Sequence, residues 1–284
     1  MTYPFTPGEA LPSSYVNSAL LKGGKNRIIN GGFLINQRYY ASGGALAFGS
    51  YGFDRWKSGY SNTTLTFTAG AQATTVTISS SGVLQQIIER ANVPAGTYVL
   101  SWSGTATGRV YNSGGTPPSY AASPVTVTLD GSANVVVEFT ASGGTRTLGT
   151  VQLELGTINS PYEYRLAGDE LWLSQRYYYR VSANTCTNTT ARLSPLGFQT
   201  ATTTSNFPWI FPQEMRAVPT VSGADAQVSD DVSFSNTIFT LSTFSPSTES
   251  TTVAASHAAV GAQFRPILIR AGNNVAYIDF NAEL

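Results

Sequence analysis

The chain predicts an all-β protein: an antiparallel jelly-roll β-sandwich, a short connecting helix, and a second, smaller C-terminal β-sandwich domain. Three observations lead there. Apolar and hydroxyl residues alternate with a period of two over much of residues 26–166, the pattern of strands with one buried face. Turn-forming clusters separate these runs at short intervals. A chain of 284 residues also exceeds the usual single domain, which leads to two domains of about 130 and about 100 residues, each able to bury a core.

Residues 1–25 form a leader. Pro4, Pro7 and Pro12 come first, and Tyr15, Val16, Ala19 and Leu20 then fall at helical spacing, with Ser13 or Ser14 as N-cap and Gly23 as a stop. A helix this short is marginal in isolation and orders only against another surface. The strand pattern begins at Ile28. Leu65 and Phe67 alternate with threonines, as do Val76 and Ile78; Leu100 and Trp102 alternate with Ser101 and Ser103. Val125, Val127 and Leu129 alternate with Thr126 and Thr128, and Val135, Val137 and Phe139 follow. Ala69-Gly70, Ser81-Gly82, Pro94-Ala95-Gly96, Asp130-Gly131-Ser132 and Ser142-Gly143-Gly144 supply the turns. About eight such strands make a jelly roll. Two connections, 41–52 and 112–124, are too long for simple hairpins, and long loops on a rigid sandwich are where binding residues gather.

Residues 167–180 carry the connecting helix, expected over Glu170 to about Tyr179, with Asp169 as N-cap and the acidic pair at the positive end of the helix dipole. Leu171, Trp172, Leu173, Tyr177 and Tyr178 are spread around its circumference. A helix apolar on all sides needs partners beyond the sandwich, so these five are expected oligomer contacts. Residues 181–284 then hold shorter strands, expected at 191–196, 207–211, 218–222, 232–234, 237–241, 251–255, 263–270 and 275–280.

Composition narrows the function. Sixteen basic residues balance sixteen acidic ones and charged residues are 11% of the chain, so the clustered cations that nucleic acid requires are missing. Globular proteins carry about a quarter charged residues, and the deficit points to a subunit of an oligomer. No run of about 18 apolar residues and no signal-peptide pattern occurs, so no membrane insertion is expected. Cys186 is alone, excluding an intrachain disulfide or a thiolate cluster. His257 is the single histidine, expected in the core or facing solvent, and no Gly-x-Ser-x-Gly elbow accompanies it. A zinc site lacks ligands and the glycine pairs lack the Lys-Ser/Thr of a phosphate loop, so neither metal nor cofactor is expected; a structural calcium is left open. Glycoside hydrolysis needs two carboxyls facing across a cleft. Asp54, Asp130, Glu138, Asp225, Asp230 and Asp231 are expected instead as solvated turn carboxylates, and no enzyme activity is expected.

Two stretches stand apart: Asn26-Arg27-Ile28-Ile29-Asn30-Gly31-Gly32-Phe33 leading to Asp54-Arg55-Trp56, and Val151-Gln152-Leu153-Glu154-Leu155-Gly156 leading to Pro161-Tyr162-Glu163-Tyr164-Arg165 and Gln175-Arg176-Tyr177-Tyr178. Over residues 26–180 the combination resembles phage tail-fibre and virion-surface proteins that carry N-x-I-I-N-G-x-F, D-R-W, V-Q-L-E-x-G, P-Y-E-Y-R and Q-R-Y. Met215-Arg216-Ala217-Val218-Pro219-Thr220-Val221 is similar to a strand entry in C-terminal domains of the same family. The resemblance implies a homotrimeric tail fibre made in the host cytoplasm and carried on the virion. In such a fibre the leader docks to other virion proteins through Tyr15, Val16, Ala19 and Leu20, and residues 181–284 form the distal tip that binds a host-surface receptor. The alternative within the family is a head fibre, capsid decoration or tail adaptor with a purely structural role. The jelly roll also resembles carbohydrate-binding modules, so a glycan is the expected receptor, stacked on exposed aromatics. The candidates are Tyr51, Tyr111 and Tyr120 beside the long loops and Trp209 in the distal domain, with Tyr39, Tyr40 and Tyr60 as further loop tyrosines and Trp102 as core. The Asp54-Arg55-Trp56 turn is expected to pin a loop, Trp56 burying its indole and Arg55 pairing with Asp54 or Glu154.

Overall fold

The computed structural model describes residues 24–59, 63–184, 191–230, 235–259 and 264–284. Tyr15, Val16, Ala19, Leu20, Tyr60, Cys186, Asp231 and the strand expected at 232–234 lie outside the described residues. The chain divides into two units. Unit 1 takes Met1–Leu34, Ala41–Tyr51 and Trp56–Arg165; unit 2 takes Ile35–Tyr40, Gly52–Arg55 and Leu166–Leu284. The two short segments, 35–40 and 52–55, depart from the expected boundary at 166, because they pack with the C-terminal part of the chain.

Unit 1 is built from β1 (Ala45–Leu46), β2 (Lys57–Ser58), β3 (Thr63–Phe67), β4 (Val76–Ile78), β5 (Val83–Ile88), β6 (Gly96–Gly104), β7 (Thr107–Asn112), β8 (Val125–Leu129), β9 (Val135–Thr140) and β10 (Arg146–Leu155). They form two antiparallel sheets, a six-stranded one in the order β1-β3-β4-β10-β6-β8 and a four-stranded one in the order β2-β5-β9-β7. The expected alternation holds on β3 and β4, where Leu65, Val76 and Ile78 are buried. On β6 and β9 it breaks down, since Tyr98–Trp102 and Val135–Thr140 are buried without interruption. On β9 the outward-facing Glu138 is covered by the Arg109 side chain of β7 and by Tyr120 from the loop that follows it, so burial there is not confined to the inner face.

Aromatic rings run through the core. Phe33 meets Trp56 at 4.9 Å between centroids, Trp56 meets Phe139 at 6.0 Å, and Phe139 meets Trp102 edge-on at 5.0 Å. Both indoles find acceptors, Trp56 Nε1 donating to the Asn30 carbonyl and Trp102 Nε1 to that of Ala106, each at 2.9 Å. Gly108 makes room for this packing: a Cβ there would lie 2.7 Å from Phe139 and 3.0 Å from Trp102.

The two ends of unit 1 are joined by polar side chains. Asn26 donates Nδ2–H to the Val151 carbonyl, while its Oδ1 accepts from the amides of Ile28 and Leu153, all at 3.0 Å. Arg165 donates to the carbonyls of Ile28 and Asn26, and Glu163 accepts the Asn26 amide at 2.8 Å. Gln152 Oε1 accepts the Glu163 amide at 2.8 Å, and Glu154 accepts the Ser160 hydroxyl at 2.6 Å. Gly31 lies against this seam, where a Cβ would fall 2.2 Å from the Val151 carbonyl oxygen.

Unit 2 opens with α1 (Ala167–Gln175), followed by β11 (Tyr178–Ser182), β12 (Gly197–Ala201), β13 (Thr204–Ile210), β14 (Thr220–Ala224), β15 (Ala226–Ser229), β16 (Ser235–Phe244), β17 (Ser250–His257), β18 (Pro266–Ala271) and β19 (Tyr277–Asn281). A second β domain is present as expected, but its strands close into a six-stranded barrel, β12-β13-β17-β16-β15-β18, beside a three-stranded sheet, β11-β19-β14. β12 and β15 escaped the sequence reading because part of their buried face is polar: Gln199 and Ser229 are buried.

The connecting helix is shorter than expected. It ends at Gln175, begins after Leu166 without a side-chain cap, and buries Glu170 and Ser174. Asp169 sits in its first turn and is not the N-cap. Tyr177 and Tyr178 are not helical oligomer contacts: they are buried within unit 2, under the guanidinium groups of Arg55 and Arg38, each 3.5 Å from the ring centroid. The Tyr-Tyr-Tyr-Arg-Val run has strand propensity, and it pairs with β19 instead of continuing the helix. Leu171 and Leu173 are half-buried, leaving Trp172 exposed.

Arg55 pairs with Glu283 from the C-terminal end of unit 2. Asp54 accepts from Gln37 Nε2 at 2.5 Å and Arg38 Nη1 at 3.2 Å. Trp56 is fully buried as expected. Burial outweighs the Arg38 cation and lifts the Asp54 carboxyl from 3.8 to about 6.

Two outcomes follow from this packing. Gly31→Ala should destabilise unit 1 by about 1–3 kcal/mol through overpacking against backbone, whereas Gly168→Ala, which meets nothing within 4 Å and lies in α1, should be neutral to stabilising by up to about 1 kcal/mol, as measured by urea denaturation. For Asp54 the folded-state pKa lies above the unfolded one, so its favourable contribution is complete below pH 3.8 and is lost as pH rises to about 6. Asp54→Asn should therefore flatten the stability curve across that window, by up to about 3 kcal/mol, as followed by denaturation midpoints against pH.

Candidate functional site

The four-stranded sheet of unit 1 presents its outer face through cross-strand rows. Lys57, Gln85, Glu138 and Arg109 are direct partners across β2, β5, β9 and β7. One row away stand Val83, Thr140 and Thr107; on the other side stand Ile87, Val136 and Tyr111. Alternation sets these residues opposite the core-facing Leu84, Phe139 and Gly108.

The loop after β7 completes the site. Gly108 and Ala121 exchange both backbone hydrogen bonds, at 2.8 and 2.9 Å, so the loop folds back along the edge of β7 and delivers Tyr120 beside Arg109. Arg109 is held twice: Nε and Nη2 donate to Glu138 Oε1 at 2.9 and 2.6 Å, and Nη1 to the Pro118 carbonyl at 3.2 Å. Its guanidinium lies 4.1 Å from the Tyr120 centroid and 5.5 Å from that of Tyr111. Both phenols donate to Glu138, Tyr120 to Oε1 and Tyr111 to Oε2, the latter at 3.4 Å. Partial burial, reinforced by the adjacent carboxylate, pushes both phenols above their ordinary range, so they stay protonated donors.

Around this cluster is a groove of about 650 Å³, lined by Arg109, Tyr111, Tyr120, Glu138, Gln85 and Phe48, with Gly59, Val83, Thr140 and hydroxyl residues filling the rest. Phe48 is 69% exposed and stands at the rim. Gly59 packs tightly on the groove wall, since a Cβ there would come 2.6 Å from Val83 Cγ1. A concave, pre-formed surface with aromatic rings and a few anchored polar groups suits a small-molecule-sized ligand.

Of the aromatic candidates, Tyr111 and Tyr120 are thus brought together. Tyr51 is not with them: it forms a bridge with Lys57, whose ammonium lies 5.8 Å from its ring, and it does not line the groove. Tyr40 packs on Phe53 at 6.4 Å, within unit 2, and Trp102 is core as expected. Trp209 is no exposed platform. It is 4% exposed and meets Phe280 at 5.0 Å in the core of unit 2, because Ser205, Phe207 and Trp209 share the inward phase of β13, leaving Ile210 outside. Phe48, Arg109 and Gln85 were missed. Arg109 and Glu138 could have been found from period-two spacing with Tyr111 and Val136, but their register across strands could not.

Glu138 is a mid-strand, nearly buried acceptor and not a solvated turn carboxylate. His257 is buried in the barrel. Its Nδ1 faces the Ala258 carbonyl at 2.8 Å and must donate, and its Nε2 is hydrogen-bonded to the Ser205 hydroxyl at 2.8 Å. Ser205 is itself fully buried, and the third partner is a carbonyl and not a carboxylate. Asp230 pairs with Arg265 at 2.5 Å. Among the described residues no group of three or more His, Cys, Asp or Glu side chains comes together as a metal site.

No protein-family model matches the chain, and no curated protein does. Among solved structures, a cycloisomaltooligosaccharide glucanotransferase of Paenibacillus sp., determined with cycloisomaltoheptaose, aligns at 12% identity and a TM-score of 0.24, over 94% of this chain and 49% of its own. This chain therefore spans about half of that enzyme's length. Discoidin II of Dictyostelium discoideum aligns at 12% identity and a TM-score of 0.18, over 91% of this chain and 92% of its own. At such scores neither likeness bears on function.

Removing the shared acceptor tests the anchoring. Glu138→Ala leaves Arg109 and two phenols without their partner and should lower stability by about 1–3 kcal/mol in urea denaturation, with Glu138→Gln less affected because an amide oxygen still accepts.

Proposed function

We propose that this chain is a homotrimeric phage virion protein that binds a host-surface glycan, and that the glycan sits in the groove of unit 1. The observation that carries the glycan assignment is the pair Tyr111 and Tyr120, held on one carboxylate beside Arg109 in an open groove. Sugars are recognised by stacking of their apolar face on an aromatic ring while neighbouring groups take the hydroxyls, and rings fixed in advance lose little entropy on binding. Gln85, Thr140, Ser81 and Ser142 supply the amide and hydroxyl partners.

In this reading the groove serves binding: among the described residues that line it, Glu138 is the one carboxylate, whereas the usual glycosidase mechanism uses a facing pair. Virion attachment rests on the sequence resemblance over residues 26–180. Receptor binding moves, in this reading, from the C-terminal domain to the sandwich, since Trp209 is core. Low overall charge remains the support for a trimer, with Trp172 the exposed apolar side chain of α1 available to another copy.

Loss of a stacking ring removes about 1 kcal/mol, so Tyr120→Ala and Tyr111→Ala should each weaken a single site by roughly fivefold to tenfold, and a trivalent one by more. Retention of purified protein on immobilised host-surface polysaccharide measures this. Equal retention of wild type and both variants would place receptor binding elsewhere, and absence of retention by wild type would favour a structural role on the virion.

A further inference from the structure

Resting on the reading of the groove as a glycan site, we infer that its ligand is an uncharged oligosaccharide of two or three sugars and that uronate- or sialate-bearing glycans are disfavoured. Among the described residues two charged side chains line the groove, Arg109 and Glu138, and they neutralise each other at 2.6 Å. The guanidinium is committed on three of its nitrogens, two toward Glu138 and one toward the Pro118 carbonyl. A sugar carboxylate entering this groove loses water, meets a guanidinium whose charge is already paired and which keeps two of its five N–H donors, and is set beside the nearly buried Glu138 carboxylate.

Two further cations stand nearby without lining the groove. Lys57 holds its ammonium 5.8 Å from the Tyr51 ring, and Arg146 donates to the Ser142 carbonyl at 3.4 Å. The polar groups that do line it, Gln85, Thr140, Ser81, Ser142 and the two phenols, match alcohol and amide functions, which hydrogen-bond without bringing charge. A volume of about 650 Å³ lies within the range, roughly 300–1,000 Å³, that encloses ligands of drug size, which corresponds to a di- or trisaccharide segment. With sixteen charges of each sign in the whole chain, no net charge steers an anionic polymer toward the site.

Calorimetric titration of the full chain with neutral trisaccharides of glucose, galactose, mannose and N-acetylglucosamine, against trigalacturonate and 3′-sialyllactose, tests the inference. At least one neutral sugar should bind with an affinity unmoved by added salt, and the anionic ones at least tenfold more weakly. Ser142→Lys, a substitution at an exposed rim position that leaves the Arg109 and Glu138 pair intact, should narrow that gap from both sides, raising the anionic affinities by its charge and lowering the neutral ones by loss of the Ser142 hydroxyl. Anionic sugars binding as tightly as neutral ones, with binding lost in Tyr120→Ala, would overturn the inference while leaving the groove a glycan site. No binding of any sugar at millimolar concentration would overturn the inference together with the reading beneath it.

Discussion

Closure of unit 1 depends on one buried asparagine. Asn26 uses its side-chain amide to hold the chain near its own position against β10, bonding Val151 and Leu153 more than 120 residues away. Arg165 and Glu163 then return to the same place from beyond β10, and Gln152 and Glu154 organise the connection between them. These groups leave water on folding, so each must find a partner within the protein, and the arrangement satisfies them mutually. The polar residues at the two ends of this unit are therefore explained by architecture. They hold a first and a last segment together and take no part in the groove.

With the ends fastened, the sheets are free to carry function on faces the core does not use. The inner face of the four-stranded sheet is occupied by Leu84, Val137 and Phe139, and the absence of a side chain at Gly108 lets the Trp102 and Phe139 rings close against it. Alternation then delivers Gln85, Glu138 and Arg109 to the other face in a single row. A loop that looks like flexible filler in composition, rich in glycine and proline, is paired with β7 at Gly108 and Ala121, and that pairing is what places Tyr120 over the guanidinium. Placing a half-buried ion pair between two tyrosines limits the rotamers of both rings, and stiffness of this kind favours stacking on a ligand.

Unit 2 uses charge differently. Two short segments from the first quarter of the sequence, 35–40 and 52–55, are held to it by Arg38, Arg55, Asp54 and Glu283, with the guanidinium planes stacked on Tyr178 and Tyr177. Asp279 gathers Tyr178, Arg180 and Ser222 on the three-stranded sheet alongside. Several of the scarce charges of this chain are thus gathered where each has more than one partner, and the Asp54 carboxyl registers the residual cost of burial in its raised pKa.

The all-β class was legible from the sequence alone, as were the first sandwich and its burial of Trp56 and Trp102, because a period of two and turn residues are local properties of the chain. Tyr111 and Tyr120 could be proposed for the same reason, from their place beside a long loop. What local pattern could not decide was the register of strands, which sets Arg109 opposite Glu138 and Glu138 opposite Gln85 although the three are far apart in sequence. Nor could it choose the phase of β13, where Trp209 and Ile210 are both large and apolar and only the closed barrel selects the tryptophan for the inside. The fate of Tyr177 and Tyr178 was equally out of reach, since a run of tyrosines suits a helix face or a strand, and pairing with β19 together with two arginines from residues 38 and 55 settled it. Amphipathic pattern determines which elements form; which side chains meet is decided by long-range pairing and by the competition of buried groups for partners.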